Sequence, residues 1–381
     1  MSAAVIDVRR AEDVRDVIHR SVQALAEGKL VGFPTETVYG LAASALDATA
    51  VQRLADVKQR QADHPMALAV KSADAAFDYV PNISPVGRRM ARRCWPGPVT
   101  LVLGDNHPDS LIHRLPTAVR PLVVPQKTVG LRVPAHPLIL EVLQLMAGPL
   151  ALTSANYSGQ PDAVTAEEVV DYVGEDIELI LDDGRCQFSQ PSSVVRVENH
   201  CIQVLRQGVV AETAIKRLAN FLILMVCTGN TCRSPMAELL MRHRLATHLG
   251  CQMDELDEQG VQVMSAGIAA MPGGRPSHEA VDIMKERQLD LSSHLSQPVS
   301  SHLARHADLI FTMTRSHRDA VIQQLPEAAS CVHLLHMDEK DISDPIGSSI
   351  DIYRQCADQM DEQLKAQLQQ LDLDSLISKM I

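Results

Sequence analysis

Apolar and polar positions follow two different patterns along the chain, and the change between them falls near residue 216. The first part opens on a helical pattern that ends at Gly28, and short apolar runs follow it at irregular spacing. The runs that predict strands are 29–33, 99–104, 129–134, 149–154, 177–183, 192–197 and 201–206. This order predicts an α/β fold with a mixed, twisted sheet and helices packed on it, closed by a terminal helix and linker at 207–220.

The second part is regular, because apolar runs and helical patterns alternate from residue 221 onward. Strands are predicted at 221–226, 261–267, 307–313 and 331–335, and helices at 235–248, 277–288, 315–325 and from about Ser349. Such alternation is typical of a parallel, doubly wound sheet. A chain of 381 residues also exceeds the size at which a single core usually stops growing. We therefore expect two α/β domains, 1–215 and 221–381.

Composition changes this picture little. The chain is 46% hydrophobic and 22% charged, which is typical of a globular protein and argues against disorder. Its first residues carry charges where a signal peptide needs an apolar core, and no apolar run is long enough to span a bilayer, so we expect a cytoplasmic protein without membrane contact. The eight cysteines show no CxxC spacing, which favours free thiols over a metal site.

The stretch VCTGNTCRSP (226–235) carries the strongest chemical signal, because it joins a predicted strand to a predicted helix. Backbone N–H groups between Cys227 and Arg233 can converge on a tetrahedral dianion, and the Arg233 guanidinium can hold two of its oxygens. Gly229 gives the loop freedom to turn, and Asn230 suits a left-handed conformation. Such a positive field activates a thiolate nucleophile, which Ser234 is placed to hydrogen-bond.

A distant acid completes this pattern. Asp344, in DPIGSSIDIY, precedes the last predicted helix and suits protonation of a leaving group. The segment 221–381 resembles the low-molecular-weight protein-tyrosine phosphatase family. The resemblance implies a flavodoxin-like fold, a phosphocysteine on Cys227, a phosphate clamp at Arg233, and Asp344 as general acid and then base, without metal or cofactor. It assigns the remaining phosphate-loop positions to Thr228, Gly229, Asn230, Thr231, Cys232 and Ser234.

Within that family, CTGNTCRSPMAE and DPIGSSIDIY resemble the bacterial protein-arginine phosphatases. Thr231 presents a small hydroxyl where tyrosine-specific relatives carry a bulky aliphatic residue, and with Asp344 it could hydrogen-bond the guanidino group of phosphoarginine. Ile346 stands where the arginine phosphatases carry phenylalanine, so the resemblance does not assign this wall of the substrate pocket. Phosphoarginine is the preferred substrate, and phosphotyrosine is the alternative. Cys232 is either a packing residue or a partner for a reversible disulfide with Cys227.

Two other functions for the second part are disfavoured. An arsenate reductase of the same fold needs an additional cysteine pair on a later loop, and 293–310 contains no cysteine. A non-catalytic phosphate-binding domain needs neither Cys227 nor Asp344. The histidines His302, His306 and His317 are interpreted as surface or packing residues rather than metal ligands.

Polar residues in the first part are spaced as in a ligand site. FPTETVYGLAA (33–43) places threonines directly after a predicted strand, and Lys58, Arg60 and His64 follow. Lys-x-Arg alone is a weak signal, since an exposed helix end has the same composition. The distant companions that strengthen it are Arg132, Ser154, Asn156, Ser192 and Arg206. Converging cations with hydroxyls and an amide suit a triphosphate plus a small amino acid.

The motifs PTETVYGL, CWPGPVTLVL, GLRVP, TSAN and PSSVV resemble the YrdC-like threonylcarbamoyl-AMP synthases over about 7–210. The resemblance implies that L-threonine, bicarbonate and ATP give threonylcarbamoyl-AMP and pyrophosphate, for threonylcarbamoyl modification of an adenosine in tRNA. It assigns ATP, with Mg²⁺, to Lys58, Arg60, His64, Thr128, Asn156 and Arg206. It assigns threonine to Thr37, Arg132, Ser154 and Ser192.

The competing interpretation of the first part is an RNA-binding module without chemistry. Such a module needs an excess of exposed cations and stacking aromatics. Residues 1–215 contain 20 Lys and Arg against 25 Asp and Glu, the whole chain has one Trp, and its formal net charge is -12. The synthase interpretation is therefore preferred, with a transient contact to tRNA or to a tRNA-modifying enzyme left open.

Overall fold

The protein is described by a computed structural model that covers residues 3–58 and 65–380. The chain divides into two compact units: the first ends at Leu218, the second runs from Ala219 to Lys379, and Met380 groups with the first. None of the helices in the described ranges is long and apolar enough to cross a membrane.

The elements up to residue 219 alternate irregularly between strands and helices. The strands are β1 Ala4–Asp7, β2 Val31–Phe33, β3 Gly40–Ser44, β4 Ala67–Ala69, β5 Val99–Gly104, β6 Thr128–Arg132, β7 Leu150–Ser154, β8 Leu179–Asp182, β9 Ser193–Glu198 and β10 Cys201–Arg206. The helices are α1 Val14–Ala26, α2 Ala48–Val57, α3 Ala73–Phe77, α4 Pro85–Cys94, α5 Arg120–Val123, α6 Pro137–Leu145, α7 Ala166–Val173 and α8 Glu212–Ala219. Short 3₁₀ turns occur at Val8–Arg10, Leu111–Arg114 and Pro125–Lys127.

Strands β1 to β10 form one mixed sheet in the order β1-β8-β2-β3-β7-β4-β6-β5-β9-β10. Strand β5 illustrates the mixture, because it pairs antiparallel with β6 and parallel with β9. Helix α1 packs on the sheet through a stripe that includes the buried Val17 and Leu25, and Asp13 caps it by accepting from the N–H of Arg15 at 2.8 Å. The mixed, twisted sheet predicted from the sequence is confirmed.

The elements after residue 219 follow the alternation that the sequence predicts. The strands are β11 Phe221–Cys227, β12 Val261–Gly267, β13 Leu309–Thr312, β14 Val332–Leu334 and β15 Lys379–Met380. The helices are α9 Arg233–Leu249, α10 His278–Glu286, α11 Ser301–His306, α12 Arg315–Gln324, α13 Ile350–Gln370 and α14 Leu373–Leu376, with a 3₁₀ turn at Pro326–Cys331.

The second unit is built on a four-stranded sheet in the order β12-β11-β13-β14, and all its pairings are parallel. Every residue of the central strand β11 is buried. Ile223 and Met225 join the core beneath α9 and α13, whereas Leu224 and Val226 join the core on the opposite face. Helices therefore cover both faces, which explains the continuous apolar run and confirms the doubly wound parallel sheet.

Candidate active sites

The first candidate site lies where β11 ends and α9 begins. In an open sheet of this order, the crevice beyond the carboxyl end of the first strand is the usual ligand position. Cys227 is the last residue of β11, and α9 begins at Arg233 without a side-chain cap on its free N–H groups. A helix that begins with open N–H groups attracts an anion, so the segment between these two residues forms a cradle for one.

Asn230 organises this cradle. Its φ is 54°, so it occupies the left-handed conformation, and its backbone N–H lies 3.3 Å from the sulfur of Cys227. Its side-chain amide donates to the hydroxyls of Ser234 at 2.9 Å and Ser265 at 2.8 Å. The Ser234 hydroxyl in turn lies 3.0 Å from the Cys227 sulfur. A fixed set of polar hydrogens therefore surrounds the thiol, as a thiolate nucleophile requires.

The carboxyl group of Glu238 extends this hydrogen-bond network beyond Ser265. Ser265 donates to Glu238 at 2.6 Å. Burial raises the pKa of Glu238, while the hydrogen bond from Ser265 acts against that increase. Since the sequence around Glu238 has the spacing of an ordinary helix, nothing in it distinguished this residue.

Gly267, at the end of β12, allows the loop to approach the sheet. A Cβ atom at this position would lie 2.5 Å from the carbonyl oxygen of Thr228 and 2.9 Å from the amide nitrogen of Asn230. Both neighbours are backbone atoms and cannot rotate away. Any larger residue at position 267 would therefore displace the loop.

Arg233 and Asp344 meet at this site. The Arg233 guanidinium forms an ion pair with the Asp344 carboxylate through Nη2, and its Nη1 donates to the carbonyl of Ile342 at 3.2 Å. The side chain of Arg233 is 6% exposed, whereas that of Asp344 is 43% exposed. The predicted clamp and the predicted acid are thus in direct contact, and the acid faces solvent.

His317 lies beside the same loop, where the sequence predicted only a surface or packing residue. It is buried, and its Nε2 lies 2.8 Å from the hydroxyl of Thr228. Burial, and after it the Arg233 charge, lowers the pKa of His317 to about 4, although Asp344 and Asp341 act in the opposite direction. The ring is therefore neutral at physiological pH.

Thr231 and Cys232 complete the loop. Thr231 is partly exposed at its rim, and Cys232 is buried with its sulfur 3.5 Å from the hydroxyl of Tyr353 and 3.4 Å from that of Ser277. Burial raises the pKa of Tyr353 to about 12. All eight cysteines have free thiols in this structure, and the reversible disulfide between Cys232 and Cys227 stays a prediction.

The second candidate site is a cavity of about 180 Å³ in the first unit. Its lining includes five residues that the sequence predicted for ATP or threonine: Thr128, Arg132, Ser154, Ser192 and Arg206. Thr128 and Arg132 are four residues apart on β6, so their side chains lie on the same face of the sheet. Three strands and the segment before β9 thus bring residues from distant motifs to one cavity.

Arg132 is fixed by a buried ion pair that the sequence analysis did not anticipate. Its Nη2 donates to Glu36 at 2.7 Å and to the hydroxyl of Thr37 at 2.9 Å. The other carboxylate oxygen of Glu36 accepts from the N–H of Ala135 at 3.0 Å. The side chains of Arg132 and Glu36 are 8% and 5% exposed. The pair therefore presents a guanidinium to the cavity in a fixed orientation.

A second cation and its hydroxyl partners lie along the same wall. Arg206 donates to the carbonyl of Ser192 at 2.9 Å and to its hydroxyl at 3.2 Å. The Ser192 hydroxyl also lies 3.1 Å from that of Thr100. Thr128, predicted for ATP, donates to the carbonyl of Pro125 at 3.1 Å.

Lys58 and Asn156 contact each other and Ser154, and of these three residues Ser154 lines the cavity. The Lys58 ammonium donates to the side-chain oxygen of Asn156 at 2.7 Å and to the carbonyl of Ser154 at 2.9 Å. The Ser154 hydroxyl donates to the same Asn156 oxygen at 2.6 Å. Arg60 and His64, predicted for ATP, lie outside the described residues.

Comparisons with known proteins assign each unit to a family. Residues 23–208 match the Sua5, YciO and YrdC family model, described as "Telomere recombination", and residues 222–376 match the model of the low molecular weight phosphotyrosine protein phosphatases. Both resemblances inferred from the sequence motifs are confirmed.

Individual relatives agree with the two models. The chain is 38% identical over 185 residues to a threonylcarbamoyl-AMP synthase of Pyrococcus abyssi; the match covers 48% of this chain and 52%, about half, of that protein. It is 33% identical over 193 residues to a threonylcarbamoyl-AMP synthase of Vibrio vulnificus, covering 50% of this chain and 98% of that protein. It is 36% identical over 156 residues to the protein-arginine-phosphatase of Bacillus subtilis, covering 40% of this chain and 97% of that protein.

A solved structure of a P. abyssi Sua5 variant has a TM-score of 0.51 with this chain. The two share 24% identity, and the match covers 87% of this chain and 98% of that one. This likeness shows the fold.

Proposed function

We propose that the chain, which belongs to the Sua5/YciO/YrdC family in its first part and to the low-molecular-weight phosphatase family in its second, is a bifunctional enzyme. Its first unit is a threonylcarbamoyl-AMP synthase. Its second unit is a cysteine-dependent protein phosphatase that acts on phosphoarginine. The cavity of the first unit, which Arg132, Ser192 and Arg206 line together, supports the first activity. The placing of Cys227, Arg233 and Asp344 at one phosphate-binding loop supports the second.

In the synthase, the amine of L-threonine captures carbon dioxide derived from bicarbonate, and a carbamate oxygen then attacks the α-phosphorus of ATP. The P–O bond to pyrophosphate breaks as the new P–O bond forms. Arg132, held by Glu36, binds the threonine carboxylate, with Thr37, Ser154 and Ser192 around the amino acid. Lys58 offsets the charge on the phosphates together with Arg206.

Magnesium is part of this proposal only as a companion of the nucleotide. Within the described ranges no group of three or more His, Cys, Asp or Glu side chains could hold a metal ion. The protein therefore offers no carboxylate cage there, and Mg²⁺ would arrive with the ATP phosphates, whose charge it would partly neutralise.

The test of the synthase is pyrophosphate release from the purified full-length chain with ATP, threonine and bicarbonate. We expect release to require all three substrates and to fall by at least about 100-fold in Arg132→Ala, because a fixed charge in the site is lost. Arg10→Ala, at an arginine that is 87% exposed, is the matched control and should keep full activity. Release that does not depend on threonine would contradict the proposal.

In the phosphatase, the Cys227 thiolate attacks phosphorus, and the phosphocysteine is then hydrolysed by water. The phosphoryl group replaces the Asp344 carboxylate at Arg233, and Asp344 takes up a proton once it leaves this ion pair. It then gives that proton to the leaving nitrogen, and the resulting carboxylate accepts a proton from the attacking water in the second step. Ser234 and Asn230 stabilise the thiolate when it leaves in the second step.

Phosphoarginine is favoured by the polar character of the rim. Thr231 offers a hydroxyl and Asp344 a carboxylate to the guanidino nitrogens, and the similar Bacillus subtilis protein is named a protein-arginine-phosphatase. Phosphotyrosine is the second candidate, because Ile346 is 65% exposed two residues after Asp344 and offers an apolar surface to a ring.

Side-by-side turnover of a phosphoarginine protein and a phosphotyrosine peptide separates these substrates, with Cys227→Ser as the blank. We expect preference for phosphoarginine and its loss in Thr231→Ile, which replaces the hydroxyl with an aliphatic wall. Thr247→Ile, an exposed threonine on α9, is the control. A preference for phosphotyrosine in the wild-type chain would reject the arginine assignment and leave the Cys227 mechanism in place.

A further inference from the structure

The first turn of α12 lies beside the phosphate loop in the second unit. Thr314 caps the helix by accepting from the N–H of His317 at 3.2 Å, so the imidazole projects from a fixed first turn. The preceding residue, Met313, donates its N–H to the carbonyl of Val226 at 3.1 Å and accepts from the N–H of Ile342 at 2.8 Å. The start of α12 is therefore tied to β11 and to the segment that carries Asp344.

The imidazole of His317 makes one directional contact, and that contact is to the loop. Its Nε2 lies 2.8 Å from the hydroxyl of Thr228, and the residue is 4% exposed while Thr228 is exposed. Its buried Nδ1 has no hydrogen-bond partner within the described parts of the chain. An unpaired buried polar atom is destabilising, so an apolar side chain would suit mere packing better. The hydrogen bond to Thr228 therefore explains why a polar ring occupies this buried position.

The charged groups around His317 keep its ring neutral. Arg233 lies on α9, and Asp344 and Asp341 lie on the segment before α13; these three act on the ring. Burial and the Arg233 cation disfavour a second proton, and the carboxylates only partly offset them. A neutral ring with one donor and one acceptor nitrogen can hold a hydroxyl in one orientation across the physiological pH range.

The same helix turn also holds the segment that bears the proposed acid. The backbone N–H of Arg315 donates to the Asp341 carboxylate at 2.9 Å, and its Nε donates to the same oxygen at 3.4 Å. His317, two residues after Arg315, contacts Thr228 of the phosphate loop. The first turn of α12 thus contacts both the loop that binds phosphate and the segment that supplies Asp344.

We infer that His317 is a positioning residue of the phosphatase site: it anchors Thr228, the second residue of the phosphate loop, against α12. This inference rests on the proposed phosphatase function. Without the anchor, the exposed end of the loop gains freedom, and its N–H groups align less well with the phosphoryl group in the transition state. Because a small misplacement in an active site can cost up to about 100-fold in rate, we expect kcat to fall about tenfold while KM changes less than about twofold.

The test uses the full-length chain and p-nitrophenyl phosphate, and compares four test variants and one control variant with the wild type. His317→Leu removes the anchor, His317→Gln keeps a polar group at the reach of Nε2, and Thr228→Val removes the hydroxyl from the other side of the contact. The double variant His317→Leu/Thr228→Val measures the coupling between the two side chains. His333→Leu, at an exposed histidine on β14, is the matched control.

The inference predicts that His317→Leu and Thr228→Val each lower kcat about tenfold, that the double variant is no worse than either, and that His317→Gln keeps at least about half of the wild-type kcat. Thr228→Val tests the contact even where His317→Leu disturbs folding, because Thr228 is exposed. Multiplying effects in the double variant, equal loss in the Gln and Leu variants, or unchanged kcat in His317→Leu would each overturn it. A wild-type chain that does not hydrolyse the probe would instead reject the proposed phosphatase function.

Discussion

The buried pair of Arg132 and Glu36 allows the first unit to be perturbed at a single contact. Glu36→Ala removes the carboxylate that lies 2.7 Å from the guanidinium, and it also leaves the N–H of Ala135 without its acceptor. The hydroxyl of Thr37 and the carbonyl of Gly97, 3.4 Å from Nε, remain to hold Arg132. Both side chains of the pair are more than nine-tenths buried, so water cannot replace the lost partner fully.

The size of the effect follows from this burial. Removing one partner of a buried ion pair costs about 3–5 kcal/mol, because an uncompensated charge stays in a site of low polarity. With a urea m-value of about 2.5 kcal/mol per molar for a unit of this size, the unfolding midpoint of the first unit should fall by roughly 1–2 M. The same change should raise the KM for threonine, because Arg132 loses its fixed orientation.

Trp95 makes this measurement selective. It is the only tryptophan of the chain and lies buried in the first unit, where its indole donates to the carbonyl of Val99 at 2.8 Å. Its fluorescence during urea unfolding therefore reports the first unit separately from the second, which a single global transition of a two-domain chain would not do. Glu12→Ala, at an exposed glutamate, is the control and should leave the midpoint unchanged. A midpoint shift below about 0.3 M in Glu36→Ala would refute the reasoning, since it would mean that the pair contributes no more than an exposed one.

Three further predictions concern the second unit. Asp344→Ala should lower the turnover of protein substrate by about 100-fold or more, because the general acid is lost. The same variant should bind inorganic phosphate about fivefold tighter, because Arg233 is released from its ion pair. Weaker phosphate binding by the variant would contradict this prediction. Gly267→Ala should lower phosphatase kcat/KM by about 100-fold by displacing the Thr228 carbonyl, with pyrophosphate release by the first unit as the unaffected control. The folded-state pKa of His317, about 4, lies below its ordinary value of 6.5, so the unfolded chain binds more protons between these values. The Tm of the second unit, followed by calorimetry, should therefore fall as pH drops from about 6.5 toward 4, and His317→Gln should flatten this dependence.

The sequence predicted best the strands whose bounds depend on their own residues and not on a distant partner strand. The strands at 99–104, 201–206 and 261–267 have the predicted bounds, because each is an apolar or alternating run bounded by turn-forming residues. Strands β1, β3, β4 and β15 were not predicted; among them, Ala4–Asp7 is largely exposed and Ala67–Ala69 is only three residues long. Both depend on partners far away in the chain, β8 for the first and β6 and β7 for the second. Pairing of this kind is not encoded in a local pattern.

The residues of the candidate sites also divide into those that a local pattern predicts and those that depend on a distant partner. Cys227 and Arg233 were found because their spacing within one loop carries the chemistry. Glu36 and His317 were missed because their roles depend on a residue packed opposite, Arg132 at 96 positions and Thr228 at 89 positions along the chain. Glu36 offered one usable signal, a carboxylate between two threonines in a motif assigned to a ligand wall. The sequence around His317 offered none.

We propose that one chain carries two independent activities at separate sites. The most direct test measures pyrophosphate release and phosphoarginine hydrolysis on the same preparations of the wild type, Arg132→Ala and Cys227→Ser. We predict that the wild type has both activities, that Arg132→Ala loses only pyrophosphate release, and that Cys227→Ser loses only phosphoarginine hydrolysis. A wild-type chain that lacks either activity, or a variant that loses both while it stays folded, would contradict the account.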